Sequence, residues 1–338
     1  MPNQTESAVA SAFDDLDEVL KLDPNERKKA QDRHKQVRGC LSDAGLTSGG
    51  FLQGSFARAT MLKPLKDIDT VNLVAPAWRE VAEAPGGVQK MFDQFQAAVQ
   101  DEWPTVEFDV DKRAGKALAV TFSDCTFTID ICAALPTGND DVVLLGDRDA
   151  DEQWQRSLTR KLNRLVAERN QDTHEVFVHQ VRVLKTLKHL HDALKDIDGI
   201  VFESIAYWSI TSKMPFADAI AHALRQGAQL LEGPMNDPAN EGDLTESWSE
   251  QKRREVVRAF ERLAEQAEAA LSAARSNDLD AALASWRAVV GSDFGGKLAT
   301  SESALQNWNT SGRETSRWGV EHGDRRLAAT PGRSWRAQ

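Results

Sequence analysis

Two carboxylates one residue apart, Asp67 and Asp69, open the stretch DIDTVNLV. Its β-branched and aliphatic residues predict a strand over 67–74. Alternate side chains of a strand share a face, so Asp67 and Asp69 project together while Ile68 turns to a core. Like charges side by side repel unless a cation sits between them, and paired hard oxygen ligands suit Mg²⁺. A third carboxylate lies in CTFTIDIC, where Phe127, Ile129 and Ile131 take one face and Thr126, Thr128 and Asp130 the other. Three such groups can hold two ions roughly 3.5–4 Å apart, stabilising the attacking and the leaving oxygen of an in-line displacement. A D-x-D on a strand equally describes a solvated edge. Gly54-Ser55, thirteen residues before Asp67, shifts that balance. Glycine lets the backbone approach a phosphate, and a serine opening a helix adds a hydroxyl beside free N–H groups at the positive helix end. The competing reading is an ordinary serine N-cap.

The elements that would position these residues follow from periodicity. A helix is predicted over 5–21, with Phe13, Leu16 and Leu20 on one stripe. A second helix starts at Asp23-Pro24, where Asp23 caps, Pro24 takes the first helical position and Glu26 closes a capping box. A short strand over 51–53 precedes Gly54, a helix covers about 87–101, and strands are predicted over 105–111, 116–122 and 125–132. After a polar connection the period turns helical, with segments at 152–169, 174–194, 200–212, 216–231, 247–276 and 279–290. In the second of these, Val178, Val181, Leu184 and Leu187 line one face while His179, Arg182 and Lys185 line another. Such a polar row taken by itself reads as a solvated face. The last forty residues lack a sustained period and are rich in Ser, Thr, Gly, Arg and Trp, which predicts a flexible tail over 299–338.

Composition limits the partners. The 338 residues carry a formal net charge of −11, whereas a protein gripping long nucleic acid along its backbone needs a basic excess. No long nucleic acid is expected as a partner. Cys40, Cys125 and Cys132 form neither a C-x-x-C pair nor an even-numbered framework, which argues against a disulfide-stapled or zinc-ribbon design. No apolar run reaches bilayer length and the first twenty residues lack a signal-peptide pattern, so the expectation is a cytoplasmic protein with no membrane partner.

The stretch GSFARATMLKPLKDIDTVNLV resembles the signature of the polymerase-β-like nucleotidyltransferase superfamily: Gly-Ser, a short helix, then Asp-x-Asp. Arg58, Thr60, Pro64 and the gap before Asp67 are most similar to the bacterial cyclic oligonucleotide synthases related to cyclic GMP–AMP synthase and oligoadenylate synthase (CD-NTases, SMODS-type). The likeness continues through ICAALP after Asp130, the Trp154 segment, VRVLKTLKHL, GIVFESIAY, NDP at 236–238 and SWRAVVGSDFG. It implies an α+β fold in which a polymerase-β-like nucleotidyltransferase core, a mixed sheet with helices, packs against a helical domain. The expected division is a catalytic core with N-terminal helices over 1–150, a helical nucleotide-binding domain over 151–298, and the tail.

By resemblance, Asp67, Asp69 and Asp130 are the catalytic metal ligands for two Mg²⁺ ions, with Mn²⁺ able to substitute. Gly54 and Ser55 form the phosphate-binding turn, and Lys185 is the helical-domain lysine on the nucleotide phosphates. Members often carry a serine a few residues before the glutamate matching Glu203; here Gly199 and Ile200 stand there and Ser204 follows the glutamate. Ser204 and Arg182 complete the expected nucleotide-binding set. The implied activity joins ribonucleoside triphosphates into a cyclic di- or trinucleotide for anti-phage (CBASS) signalling, read by a downstream effector that binds the product. The alternatives are a linear oligonucleotide synthase, nucleotide transfer to RNA or protein, and a catalytically silent nucleotide-binding regulator.

Overall fold

The computed structural model describes residues 1–109 and 115–296. In chain order its elements are α1 (Gln4–Leu20), α2 (Pro24–Asp43), β1 (Thr47–Gln53), α3 (Gly54–Ala57), β2 (Asp67–Val74), α4 (Arg79–Glu83), α5 (Gly87–Glu102), β3 (Glu107–Asp109) and β4 (Leu118–Thr121). There follow β5 (Thr128–Pro136), β6 (Val143–Gly146), β7 (Trp154–Ser157), α6 (Thr159–Asp172), α7 (Phe177–Leu190), α8 (Gly199–Ser209), α9 (Phe216–Leu230), α10 (Glu250–Arg275) and α11 (Leu279–Val290). Of the described residues, 22–165 form one compact unit, and 1–21 with 166–296 form another. The expected tail over 299–338 lies outside the described residues.

In the first unit the strands form one mixed sheet in the order β1-β2-β5-β4-β3, with β6 pairing β5 and β7. The central β5 runs parallel to β2 and antiparallel to β4 and β6. Its sequence, TIDICAALP, is nearly continuous apolar residues, as a strand covered on both faces requires. Ile129, Ile131, Ala133 and Leu135, with Ile68 and Val74 of β2, enter a core that includes Val37 and Leu41 of α2 and Met91, Phe92 and Phe95 of α5. The opposite face carries a smaller apolar patch of Val71, Cys132, Ala134, Val143 and Leu145.

The second unit is helical. α1 begins at a capping box, with the Glu6 N–H donating to Asn3 Oδ1 (2.9 Å) and the Asn3 N–H to Glu6 Oε2 (2.8 Å). Phe13 packs on Phe216 of α9, on Trp286 of α11 and on Phe294, at ring separations of 5.5, 4.8 and 4.8 Å. Asp17 of α1 is buried and accepts from Arg182 Nη2 (2.8 Å) and Nε (3.1 Å), and it also meets His179 Nδ1. Burial pushes the Asp17 carboxyl up, but the His179 hydrogen bond and the Arg182 charge outweigh it and hold it below its ordinary value. No helix of the described residues is long and apolar enough to cross a membrane.

Several boundaries differ from the predicted ones. Residues 154–157 are not the start of a helix: they form β7, antiparallel to β6, and the Trp154 indole N–H donates to Ala82 O (2.8 Å). The pairing of WQRS with a short apolar strand overrides its helical period. β6 itself occupies what reads as a polar connection. β5 starts at Thr128 and runs to Pro136, so Cys125 precedes it. At α2, Asp23 caps through the N–H groups of Asn25 and Glu26, whereas Glu26 Oε2 is buried without a partner.

His34 of α2 is buried, its Nε2 3.2 Å from Thr70 Oγ1 on β2. Burial first, then the Arg38 and Lys35 charges, push the imidazole down from 6.5 to about 4. The folded ring stays neutral while an unfolded chain binds a proton below pH 6.5, so stability is full above that pH and lost as pH falls toward 4. Urea unfolding should show this group removing about 2 kcal/mol between pH 7 and pH 5. His34→Asn should flatten that dependence, and an unchanged slope in the variant would assign the loss to other groups.

Candidate active site

Parallel pairing of β2 with β5 sets Asp69 opposite Asp130 and Asp67 opposite Thr128. Paired residues share a sheet face, and so do residues two apart on one strand, so Asp67, Asp69, Thr128 and Asp130 form one polar patch. Neighbouring strands lie about 5 Å apart and side chains two residues apart on one strand about 7 Å, so three carboxylates occupy a small area. Exposure falls across it: Asp67 is exposed, Asp69 half-buried, and Asp130 only 7% exposed. Thr128 Oγ1 donates to Asp130 Oδ1 at 3.4 Å. Ile68 on the reverse face is fully buried.

The Gly54-Ser55 turn is built onto the same row. β1 runs antiparallel to β2 with Gln53 opposite Asp69, so the chain leaves the sheet at the level of that carboxylate. Gly54 has φ +71°, and a Cβ there would lie 1.9 Å from Asp69 Oδ2. Glycine is thus required both by the left-handed backbone and by contact with the carboxylate. Gln53, not Ser55, holds the N-cap position of α3, and no side chain caps it. Ser55 is the second helical residue; its carbonyl accepts from the Thr60 N–H (3.0 Å). The far side of the segment is held by Asn163 of α6, whose Nδ2 donates to Leu52 O (2.9 Å) and whose Oδ1 accepts from Arg58 Nη1 (3.3 Å).

Lys185, Arg182 and Ser204 belong to the helical unit. The Lys185 ammonium donates to Glu203 Oε1 at 2.9 Å, both side chains buried, and its stem crosses the first residue of α8. A Cβ at Gly199 would lie 2.9 Å from Lys185 Cε, so the absence of a side chain there makes room for the lysine. Arg182 is bound to Asp17. Ser204 is fully buried and its hydroxyl has no hydrogen-bond partner. The polar stripe of α7 is therefore no solvated face: Arg182 and Lys185 are both buried, each against a carboxylate.

The three aspartates fit divalent cations in donor type, shared face and backbone spacing. Among the described residues, no three carboxylate, imidazole or thiol groups already converge as metal ligands. Gln53 and Asn163 were not marked by any sequence pattern. Asn163 reaches partners 105 and 111 residues away, which only the folded sheet brings near. Gln53 adjoins Gly54, and strand alternation places it in the Asp69 row once the β1–β2 register is known.

Two consequences can be measured. Gly54→Ala should lose about 1–2 kcal/mol in urea unfolding through the left-handed backbone alone, and a crystal structure should show the Asp69 carboxylate displaced. Glu203→Ala leaves the Lys185 charge buried without a partner and should cost about 3–5 kcal/mol. A loss below about 1 kcal/mol would mean that the lysine finds solvent instead.

The sequence matches no family model and no curated protein. Solved structures do match. The Escherichia coli MS115-1 CdnC, in complex with HORMA-deltaN, aligns over 85% of this chain and 97% of its own at 16% identity and a TM-score of 0.66. The Bradyrhizobium diazoefficiens CD-NTase CdnG in complex with GTP aligns over 91% and 98% at 13% identity and a TM-score of 0.64. Vibrio cholerae DncV, a cyclic AMP-GMP synthase solved with a linear intermediate, aligns over 82% and 93% at 12% identity and a TM-score of 0.61. At these identities the likeness is one of architecture: the chain has the polymerase-β-like fold of the bacterial CD-NTases.

Proposed function

We propose that this chain is a template-independent nucleotidyltransferase that joins ribonucleoside triphosphates into a cyclic di- or trinucleotide second messenger. The observation that carries the reading is the row in which Asp69 lies opposite Asp130 on β5 and against Gly54 of the turn. The Gly54-Ser55 turn and the three-carboxylate patch belong to one unit, which supports the reading because nucleotidyl transfer needs a phosphate site beside metal ligands. The architecture shared with a cyclic AMP-GMP synthase and a GTP-bound CD-NTase supports the same reading.

Asp67, Asp69 and Asp130 would hold two Mg²⁺ ions. Bound there, the ions supply Lewis-acid stabilisation of the attacking and leaving oxygens. Gly54 and Ser55 receive the donor triphosphate through the turn backbone and the serine hydroxyl. Within the helical unit Lys185 is paired with Glu203, while Arg182, held by Asp17, fixes α7 to α1. An acceptor ribose hydroxyl loses its proton and attacks the donor α-phosphorus; the new phosphodiester bond forms as the bond to pyrophosphate breaks. A second such transfer within the linear product closes the ring, so one pyrophosphate leaves for each bond made. Such a product, charged through its phosphodiesters and held to no macromolecule, is a small diffusible anion suited to an effector in anti-phage (CBASS) signalling.

Purified protein, Mg²⁺ and four labelled ribonucleotides should yield pyrophosphate and a phosphatase-resistant small product. Asp67→Ala with Asp69→Ala should reduce turnover by about a thousandfold or more without unfolding the chain. Label confined to phosphatase-sensitive linear species would replace the ring by a linear synthase. Label on RNA or protein would indicate a macromolecular acceptor, and nucleotide binding without pyrophosphate release would indicate a regulator.

A further inference from the structure

β1 is the edge strand of the sheet, so carbonyls on its outer side have no strand partner. That of Leu52, two residues before Gly54, accepts from Asn163 Nδ2 at 2.9 Å. The same amide turns its Oδ1 to Arg58 Nη1 at 3.3 Å, just past the end of α3. One side chain of α6 thus grips the segment that carries Gly54 and Ser55 at both ends. Arg58 is only 7% exposed, and a buried guanidinium is costly unless its N–H groups are matched. An asparagine supplies a donor and an acceptor from one planar group. An aspartate of the same size would set a lone pair against the Leu52 carbonyl, and a leucine would satisfy neither partner.

The segment is anchored from within by Phe56, buried in the core, and by the Thr60 N–H donating to Ser55 O (3.0 Å). α3 is four residues long with no side-chain cap; its first residue, Gly54 (φ +71°), and Ala59 beyond its end (φ +57°) are both left-handed. A turn this short makes few i→i−4 hydrogen bonds of its own, so a clamp on both of its sides adds to how well its N–H groups are preorganised. We propose that Asn163 is a positioning residue for the triphosphate turn. Its amide fixes the Gly54–Ser55 backbone in the orientation that binds phosphate, and it sets nucleotide affinity without touching the reacting atoms. This rests on the reading that the turn receives a triphosphate.

The test compares the full-length chain with its Asn163→Leu and Asn163→Asp variants. The readouts are KM and kcat from pyrophosphate release with Mg²⁺, Kd for a non-hydrolysable triphosphate analogue, melting temperature, and hydrogen exchange of the amides of residues 54–60. Both variants should raise KM and Kd tenfold or more with kcat changed less than threefold, because binding common to ground and transition states is lost. Exchange at 54–60 should quicken while the melting temperature stays within a few degrees. Should Asn163→Leu fail to fold, Asn163→Asp, which keeps the volume and the Arg58 acceptor, carries the comparison. Unchanged KM and Kd in a folded variant of an active enzyme would overturn the proposal alone. Wild-type protein that neither binds the analogue nor releases pyrophosphate would instead overturn the functional reading, and the assignment of Asn163 with it.

Discussion

Parallel registration of β2 with β5 is the constraint from which the rest of this unit follows. It sets Asp69 beside Asp130, and the two-residue period of β2 adds Asp67 to the same face. Three like charges on one patch repel in the absence of cations, so the arrangement needs support from outside itself. That support lies on the reverse face, where Ile68, Ile129 and Ile131 are fully buried in the core that α2 and α5 help to form. Slipping either strand by one residue would send the aspartates into that core and the isoleucines toward solvent. The hydrophobic face therefore fixes the geometry of the polar one.

The helical unit solves a related problem with buried ion pairs. Lys185–Glu203 ties α7 to α8, and Arg182–Asp17 ties α7 to α1. Paired charges of this kind add little net stability, yet removing one partner is expensive, so each pair fixes how its helices meet. Lys185 gains its place because residue 199 has no side chain to obstruct it.

Much of this was legible in the sequence because it depends on short-range periodicity. The alternation in DIDTVNLV and TIDIC assigns each aspartate a face, and burial follows it at Asp67, Ile68 and Asp69, whereas Asp130 is buried along with its neighbours on the central strand. The mixed sheet followed by helices was readable for the same reason. What escaped depends on partners distant in the chain. WQRS looks helical until β6 pairs with it, and the polar stripe of α7 looks solvated until Asp17 and Glu203 bury it. Gln53 and Asn163 carry no local pattern; only the edge position of β1 and its contact with α6 give them a role. The helical repeat of α1 was plain, but its membership in the same compact unit as α9–α11 rests on ring contacts made by Phe13 across more than two hundred residues.

Ion binding is the most direct test of the carboxylate row, because it does not depend on which nucleotides are used or what product is made. Electron paramagnetic resonance with Mn²⁺, titrated into the full chain with a non-hydrolysable triphosphate analogue, would count the ions held. The account predicts two ions per chain, and loss of both from tight binding when Asp69 is changed to Asn. Stoichiometric Mn²⁺ binding that survives in a folded Asp69→Asn, Asp130→Asn double variant would contradict it.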